Sequence, residues 1–464
     1  MTETKPLGWH TLRTGLILAG ALTIILSLVR WGGTAKSGPI LWAGVGLLSG
    51  LIIGFGILTW WLYLSPLHTT AVTVSQRSPQ LRQMVGLLVL MSGTLFALGG
   101  FWDEVWHRRF GGFGNDFLWP PHMLLYGSIA LTAAFALGGI VLIVRGTGGL
   151  RERFRSEPLL GLLGLITCYL LASVPSDELW HRIYGKDLTA WSLPHLLLAG
   201  GFALVMLVGV SLQLSLIPLR PWQGLRGLRG GELLALVMVA WATIGLLQIG
   251  ATEWDTIHVL GETRDAFENA FWHRPLWLYP AVITTVSIFC GTFTLHALRR
   301  AGTATLLGLL VLGLRLLLLV SLGGFAPGVS MSYTSHLLVL PPLVALDIWY
   351  ATRLSRGSTL STLISGNLVA GLVFVACDLP LIGALMVYPP VNRSTLPGML
   401  GMSLAMALVA GWAGARFGSW IGTLDRPAGT TAPITRRARW TVLGVATVAA
   451  ALVLMLILTA HPPA

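Results

Sequence analysis

Apolar runs of membrane-crossing length follow one another nearly from end to end of the chain, with short polar stretches between them. They occupy residues 14–30, 40–63, 84–101, 120–144, 158–175, 192–217, 232–250, 275–298, 302–322, 335–351, 359–377, 395–415 and 439–459. A helix rises 1.5 Å per residue, so ~20 apolar residues cross the ~30 Å hydrocarbon layer. A helix also satisfies its own backbone polar groups, which lipid cannot do. The pattern therefore predicts an all-α fold, a polytopic membrane helical bundle of about 13 transmembrane helices. The longest polar stretches, near 64–83, 102–119, 251–274 and 416–438, are each too short to bury a core. Residues 1–464 thus read as one integral membrane domain.

Composition agrees: 54% of the 464 residues are hydrophobic and only 10% charged, against about 25% charged in soluble domains. The net charge of +12 suggests nucleic acid until its placement is examined. Arg77 and Arg82; Arg145, Arg151, Arg153 and Arg155; Arg220, Arg226 and Arg229; Arg299 and Arg300; Arg353 and Arg356; and Arg426, Arg436, Arg437 and Arg439 fall in alternate loops. That is the positive-inside pattern of a cytoplasmic (inner) membrane protein. It removes nucleic acid as a partner and makes the lipid bilayer one. It also sets the N-terminus inside and, with thirteen spans, the C-terminus outside. Cys168, Cys290 and Cys377 stand singly without C-x-x-C spacing, which indicates neither a thiolate cluster nor a disulfide framework.

The outward loops carry the chemistry. Residues 103–127 read DEVWHRRFGGFGNDFLWPPHMLLYG, and residues 177–200 read DELWHRIYGKDLTAWSLPHLLLAG. Asp103, His107 and His122 of the first copy match Asp177, His181 and His195 of the second. An altered third copy, residues 253–279, offers His258 and His273 with Glu253 and Asp255 as its acids. A fourth trace keeps Gly323-Gly324-Phe325 and Ser335-His336. The repeat unit is a helix pair with its outer loop, approximately 84–144, 158–217, 232–298 and 302–351. Parallel repeats of this kind pack around an axis along the membrane normal and bring their outer loops together.

Asp and His at i and i+4 share a helix face, and the second His follows a proline suited to a helix start. One carboxylate and two imidazoles from neighbouring helix ends make a three-ligand N/N/O set with positions left open. Copper leads, with zinc or iron next. The ligands are Asp103, His107 and His122, then Asp177, His181 and His195, then His258, His273 and Asp255. They serve either one ion per repeat or one shared ion. Asp116 and Asp187 are placed to orient the second His from outside the ligand set. Glu104 and Glu178 lie on another helix face. The competing reading is structural: interfacial His and Asp can anchor loops, with Trp102, Trp106, Trp119, Trp180, Trp191, Trp254 and Trp272 as an aromatic belt. Repetition of costly polar groups favours function. Deeper in the bilayer, Arg315 and Asp347 predict a buried ion pair. Asp378 is placed to join the outer polar cluster.

The spacing Asp177-x3-His181-x13-His195, and nearly so Asp103-x3-His107-x14-His122, resembles the copper-ligand pattern in the C subunit of particulate methane and ammonia monooxygenases. The resemblance covers the two motif copies alone. It implies copper at Asp103, His107 and His122, and separately at Asp177, His181 and His195, near the outer face. The leading expectation is a copper-dependent membrane oxidoreductase acting on a small or lipid-soluble substrate, with partner subunits or an electron donor. A copper transport or delivery protein is the rival, and a lipid or glycan transporter the third reading.

Overall fold

The computed structural model describes residues 53–64, 79–110, 118–184, 191–255, 274–353 except 328 and 330, 360–424 and 436–460, with Gly46, Ser49, Gly50 and Arg426 besides. These residues form helices, with no β-strand among them. In chain order they are α1 (Ile53–Tyr63), α2 (Pro79–Phe110), α3 (Pro120–Val144), α4 (Leu150–Ser156), α5 (Pro158–Tyr184), α6 (Leu193–Leu214), α7 (Gly230–Gly250) and α8 (Thr252–Asp255). There follow α9 (Leu278–Leu298), α10 (Thr303–Leu322), α11 (Thr334–Leu337), α12 (Leu340–Ala351), α13 (Leu360–Val373), α14 (Leu379–Leu385), α15 (Leu396–Thr423) and α16 (Arg436–Thr459). A π-helical turn, Phe374–Asp378, joins α13 to α14.

Ten helices among the described residues are long and apolar enough to cross a membrane. They coincide with the third to twelfth apolar runs. Run 14–30 lies outside the described residues, run 40–63 is described mainly in α1, and run 439–459 lies within α16. The protein is an all-α membrane bundle in contact with lipid.

Prolines in the first turn open α3, α6, α12, α14 and α15, where the missing N–H costs nothing. α2 has 32 residues, about 48 Å at helical rise. It therefore outruns the hydrocarbon layer, and its last turns carry the first motif.

Helices α2, α3, α5 and α6 pack in a closed cycle, each against the next and α6 against α2. Helices α7, α9, α10 and α12 pack similarly, and α6 and α2 join that group through α7. The tightest seam is α9 on α15. A methyl on Gly414, Gly418 or Gly422 would collide with the carbonyl oxygens of Phe289, Phe293 and Ala297. Small residues let these backbones touch, the usual source of helix association in lipid. At the end opposite the motifs, Arg300 pairs with Glu232 at 3.0 Å and donates to the carbonyls of Gly224, Arg226 and Gly227.

Candidate metal centre

The last two turns of α2 place Asp103 and His107 on one face, and α3 begins beside them with Trp119, Pro120, Pro121 and His122. Asp103 Oδ1 lies 3.0 Å from His122 Nε2 and 3.4 Å from His107 Nε2. The three ligand atoms all lie within 4.8 Å of one another. Metal bonds of about 2.0–2.1 Å require neighbouring ligand atoms to sit roughly 3–3.4 Å apart, so both contacts to Asp103 suit an ion. Oδ1 is buried and receives no well-formed hydrogen bond despite two ring nitrogens beside it. The three side chains keep 16–19% exposure, enough to admit water or a small molecule.

Aromatic rings fix these ligands. The Trp119 ring lies 5.2 Å from His107, and Trp106 meets Trp102, Phe110 and Trp119 edge-on at 5.5–5.6 Å. Tyr126 lies 5.9 Å from His122. Trp102, Trp106, Trp180, Trp191 and Trp254 are all buried within the protein. For these five the aromatic belt is corrected to interior packing, while Trp119 is partly buried and Trp272 lies outside the described residues.

The second copy stands next to the first. His195 Nε2 is 3.5 Å from Asp177 Oδ1, and His195 Nδ1 is 2.9 Å from the Ser192 hydroxyl. His195 is also close enough to interact electrostatically with Asp103, so the two motifs converge on one polar region. The α5 backbone includes His181, whose side chain lies outside the described residues, as do Asp116, Asp187, His258 and His273.

Among the described residues Asp255 meets a tyrosine and a serine, while His258 and His273, the histidines it was expected to join, lie outside them. Asp255 Oδ1 accepts from Tyr279 Oη at 2.9 Å, and its Oδ2 accepts from the Ser335 backbone N–H and hydroxyl at 3.2 and 2.7 Å. Burial pushes its carboxyl above the ordinary range, opposed by the Ser335 and Tyr279 bonds and by Arg315. Against the sequence reading, Arg315 and Asp347 do not pair. Asp347 accepts from the backbone N–H groups of Gly302 and Thr305 at the start of α10. Arg315 lies ten residues beyond Thr305 on that helix, about 15 Å away at helical rise.

The acid nearest Arg315 is Glu104, at 3.9 Å from Nη1. Glu104 also takes Arg108 at 2.6 Å and Gln248 Nε2 at 3.2 Å. The second letter of the repeated Asp-Glu pair thus ties the ligand helix to α7 and α10. Sequence reasoning missed this role, as well as Tyr279, Ser335 and Ser192. Only the Ser-His dipeptide at 335–336 carried a signal of it. In the third loop, Arg274 stacks 4.1 Å over Trp191 and pairs with Glu253 at 2.7 Å. No protein-family model matches this chain, and neither the curated proteins nor the solved structures offer a match.

Proposed function

We propose that this membrane protein holds a copper ion through Asp103, His107 and His122 and carries out oxidoreductase chemistry there on a small or lipid-soluble substrate. The observation that carries the reading is Asp103 Oδ1: buried, without a well-formed hydrogen bond among the described residues, and flanked by two imidazole nitrogens at 3.0 and 3.4 Å. An N/N/O set without thiolate suits copper, zinc or iron and leaves coordination positions open. The spacing shared with the monooxygenase C subunits favours copper among these. The alternation of basic loops favours an outward-facing centre. Bound copper would supply one-electron chemistry and a place for oxygen or substrate.

The chain's own groups have separate tasks. His107 and His122 supply neutral nitrogen donors, and Asp103 supplies a compensating negative charge. The Trp106 and Trp119 rings limit water on one side. His195 and Asp177, adjoining from the second copy, serve as a further ligand pair or as acid–base groups for the same centre. The test is metal analysis of the purified protein beside a His107→Ala/His122→Ala variant. About one copper per chain is expected, and the variant should lose it. Unchanged metal content in the variant removes the site. Stoichiometric zinc as the native ion removes the oxidoreductase reading and leaves metal handling.

A further inference from the structure

A second polar cluster lies where α8, α9, α10 and α11 meet. Its chain of hydrogen bonds has a direction. Asp255 Oδ2 takes the Ser335 hydroxyl at 2.7 Å, and a serine hydroxyl has one proton to give. The 3.0 Å contact between Ser335 Oγ and His336 Nδ1 is then made by a proton on Nδ1. A neutral imidazole protonated at Nδ1 carries its open lone pair on Nε2. His336 is fully enclosed, and its Nε2 meets no partner among the described residues. In the second motif copy Ser192 likewise contacts His195 Nδ1, but there Nε2 faces the Asp177 carboxylate. At His336 the Nε2 side stands open.

Arg315 borders the same turn. Its Nε and Nη2 donate to the Ser332 carbonyl at 3.1 and 2.8 Å, and its guanidinium lies 4.1 Å over the Phe101 ring. Its charge acts on His336. Its third nitrogen, Nη1, is 3.9 Å from Glu104 Oε2, beyond hydrogen-bond reach, and donates to nothing among the described residues. One buried acceptor and one buried donor are therefore left open beside residues 332–336. Buried polar groups are ordinarily paired, so each exception calls for an explanation.

We propose that His336 and Arg315 form a binding site for an uncharged, lipid-soluble hydroxyl compound of the phenol, quinol or alcohol class. Its hydroxyl donates to His336 Nε2, and the same oxygen accepts from Arg315 Nη1. A metal ion fits poorly, because the guanidinium repels it and donors already fill both Asp255 oxygens. A carboxylate or phosphate fits poorly, because His336 offers it a lone pair and no proton. Phe101 supplies an apolar ring beside the polar pair. The site is separate from the Asp103 centre and does not rest on the metal reading.

The test compares two probes on the purified full chain in lipid nanodiscs: decylhydroquinone, and decylbenzene, which has the same tail without hydroxyls. Wild type should prefer decylhydroquinone about tenfold or more, the range of one or two well-placed hydrogen bonds. His336→Phe and Arg315→Met should each bring the preference to within about twofold. The metal content of His336→Phe should stay unchanged, which separates this site from the copper centre. If these variants fail to fold, nitrogen NMR of histidine-labelled wild type reads the same contact. The His336 Nε2 resonance should be that of an unprotonated nitrogen and should move with decylhydroquinone alone. Equal affinity for both probes, or a resonance that neither moves, overturns the proposal and leaves an ordered water as the occupant.

Discussion

Asp103 and Asp255 are two sheltered carboxylates at the same end of the bundle, yet their surroundings are opposite. Asp103 presents an oxygen to two imidazole nitrogens and receives no well-formed hydrogen bond on it among the described residues. Asp255 receives three, two of them from Ser335 and one from Tyr279. A carboxylate whose lone pairs are filled by donors acts as an anchor for the chain around it. One set between imidazoles has the geometry of a candidate metal ligand. Residue type and position in the repeat do not separate the two cases; the number of donors does.

The largest predicted effect follows from that contrast. Asp103→Ala should lower copper affinity by about 100-fold or more, because replacing even an outer partner of a ligand typically costs 10–100-fold. Asp255→Ala should leave metal per folded chain unchanged and lower stability by about 3 kcal/mol, since it strands buried donors. Metal titration and thermal unfolding of the two variants measure both. Metal loss in Asp255→Ala with retention in Asp103→Ala would reverse the assignment.

The second prediction tests the link between the two regions. Glu104→Ala leaves Arg315 buried without its carboxylate, and breaking such a pair costs about 3–5 kcal/mol. The 3.9 Å separation and the other contacts of Arg315 place the cost at the lower end, about 3 kcal/mol. Adding Arg315→Met should recover most of it. Additive losses in the thermal unfolding of the double variant would show that the two side chains act independently.

The sequence made the spans, the Asp103–His107 face and the Pro-His helix starts legible, because each rests on local spacing along one helix. The partner of Arg315 was illegible for a physical reason. In lipid, hydropathy does not distinguish a helix face turned to protein from one turned to acyl chains, so the pattern never said which helix touches α10. Asp347 looked like the economical partner because both residues are charged and lie in consecutive spans. Its carboxylate instead fills the N–H groups at the start of α10, a cap supplied from another helix. The donors of Asp255 were illegible likewise: Tyr279 and Ser335 lie beyond its own loop.

A smaller effect separates the two serine–histidine contacts. Ser335→Ala removes a donor from Asp255 and the acceptor of His336 Nδ1, and should cost about 1–3 kcal/mol. Ser192→Ala removes one contact to a partly exposed ring and should cost at most about 1 kcal/mol. Equal costs in thermal unfolding would mean that the Asp255 cluster is no more tightly built than the second motif copy.

The smallest effect is a pH dependence, and its sign is informative. Burial raises the folded-state pKa of Asp255 above the ordinary carboxylate value of 3.8, which the unfolded chain should approach. Between those two values the folded state keeps a proton that the unfolded state has released. Stability therefore falls as pH climbs from about 3.8 to the folded value and is flat above it. The difference between wild type and Asp255→Asn isolates this contribution, because the other carboxylates titrate in both proteins. Asparagine cannot titrate, so wild type should lose stability relative to the variant across that window. The opposite slope would mean that the three donors and Arg315 outweigh burial at Asp255. It would then be a fully ionised anchor, differing from Asp103 in its hydrogen bonds alone.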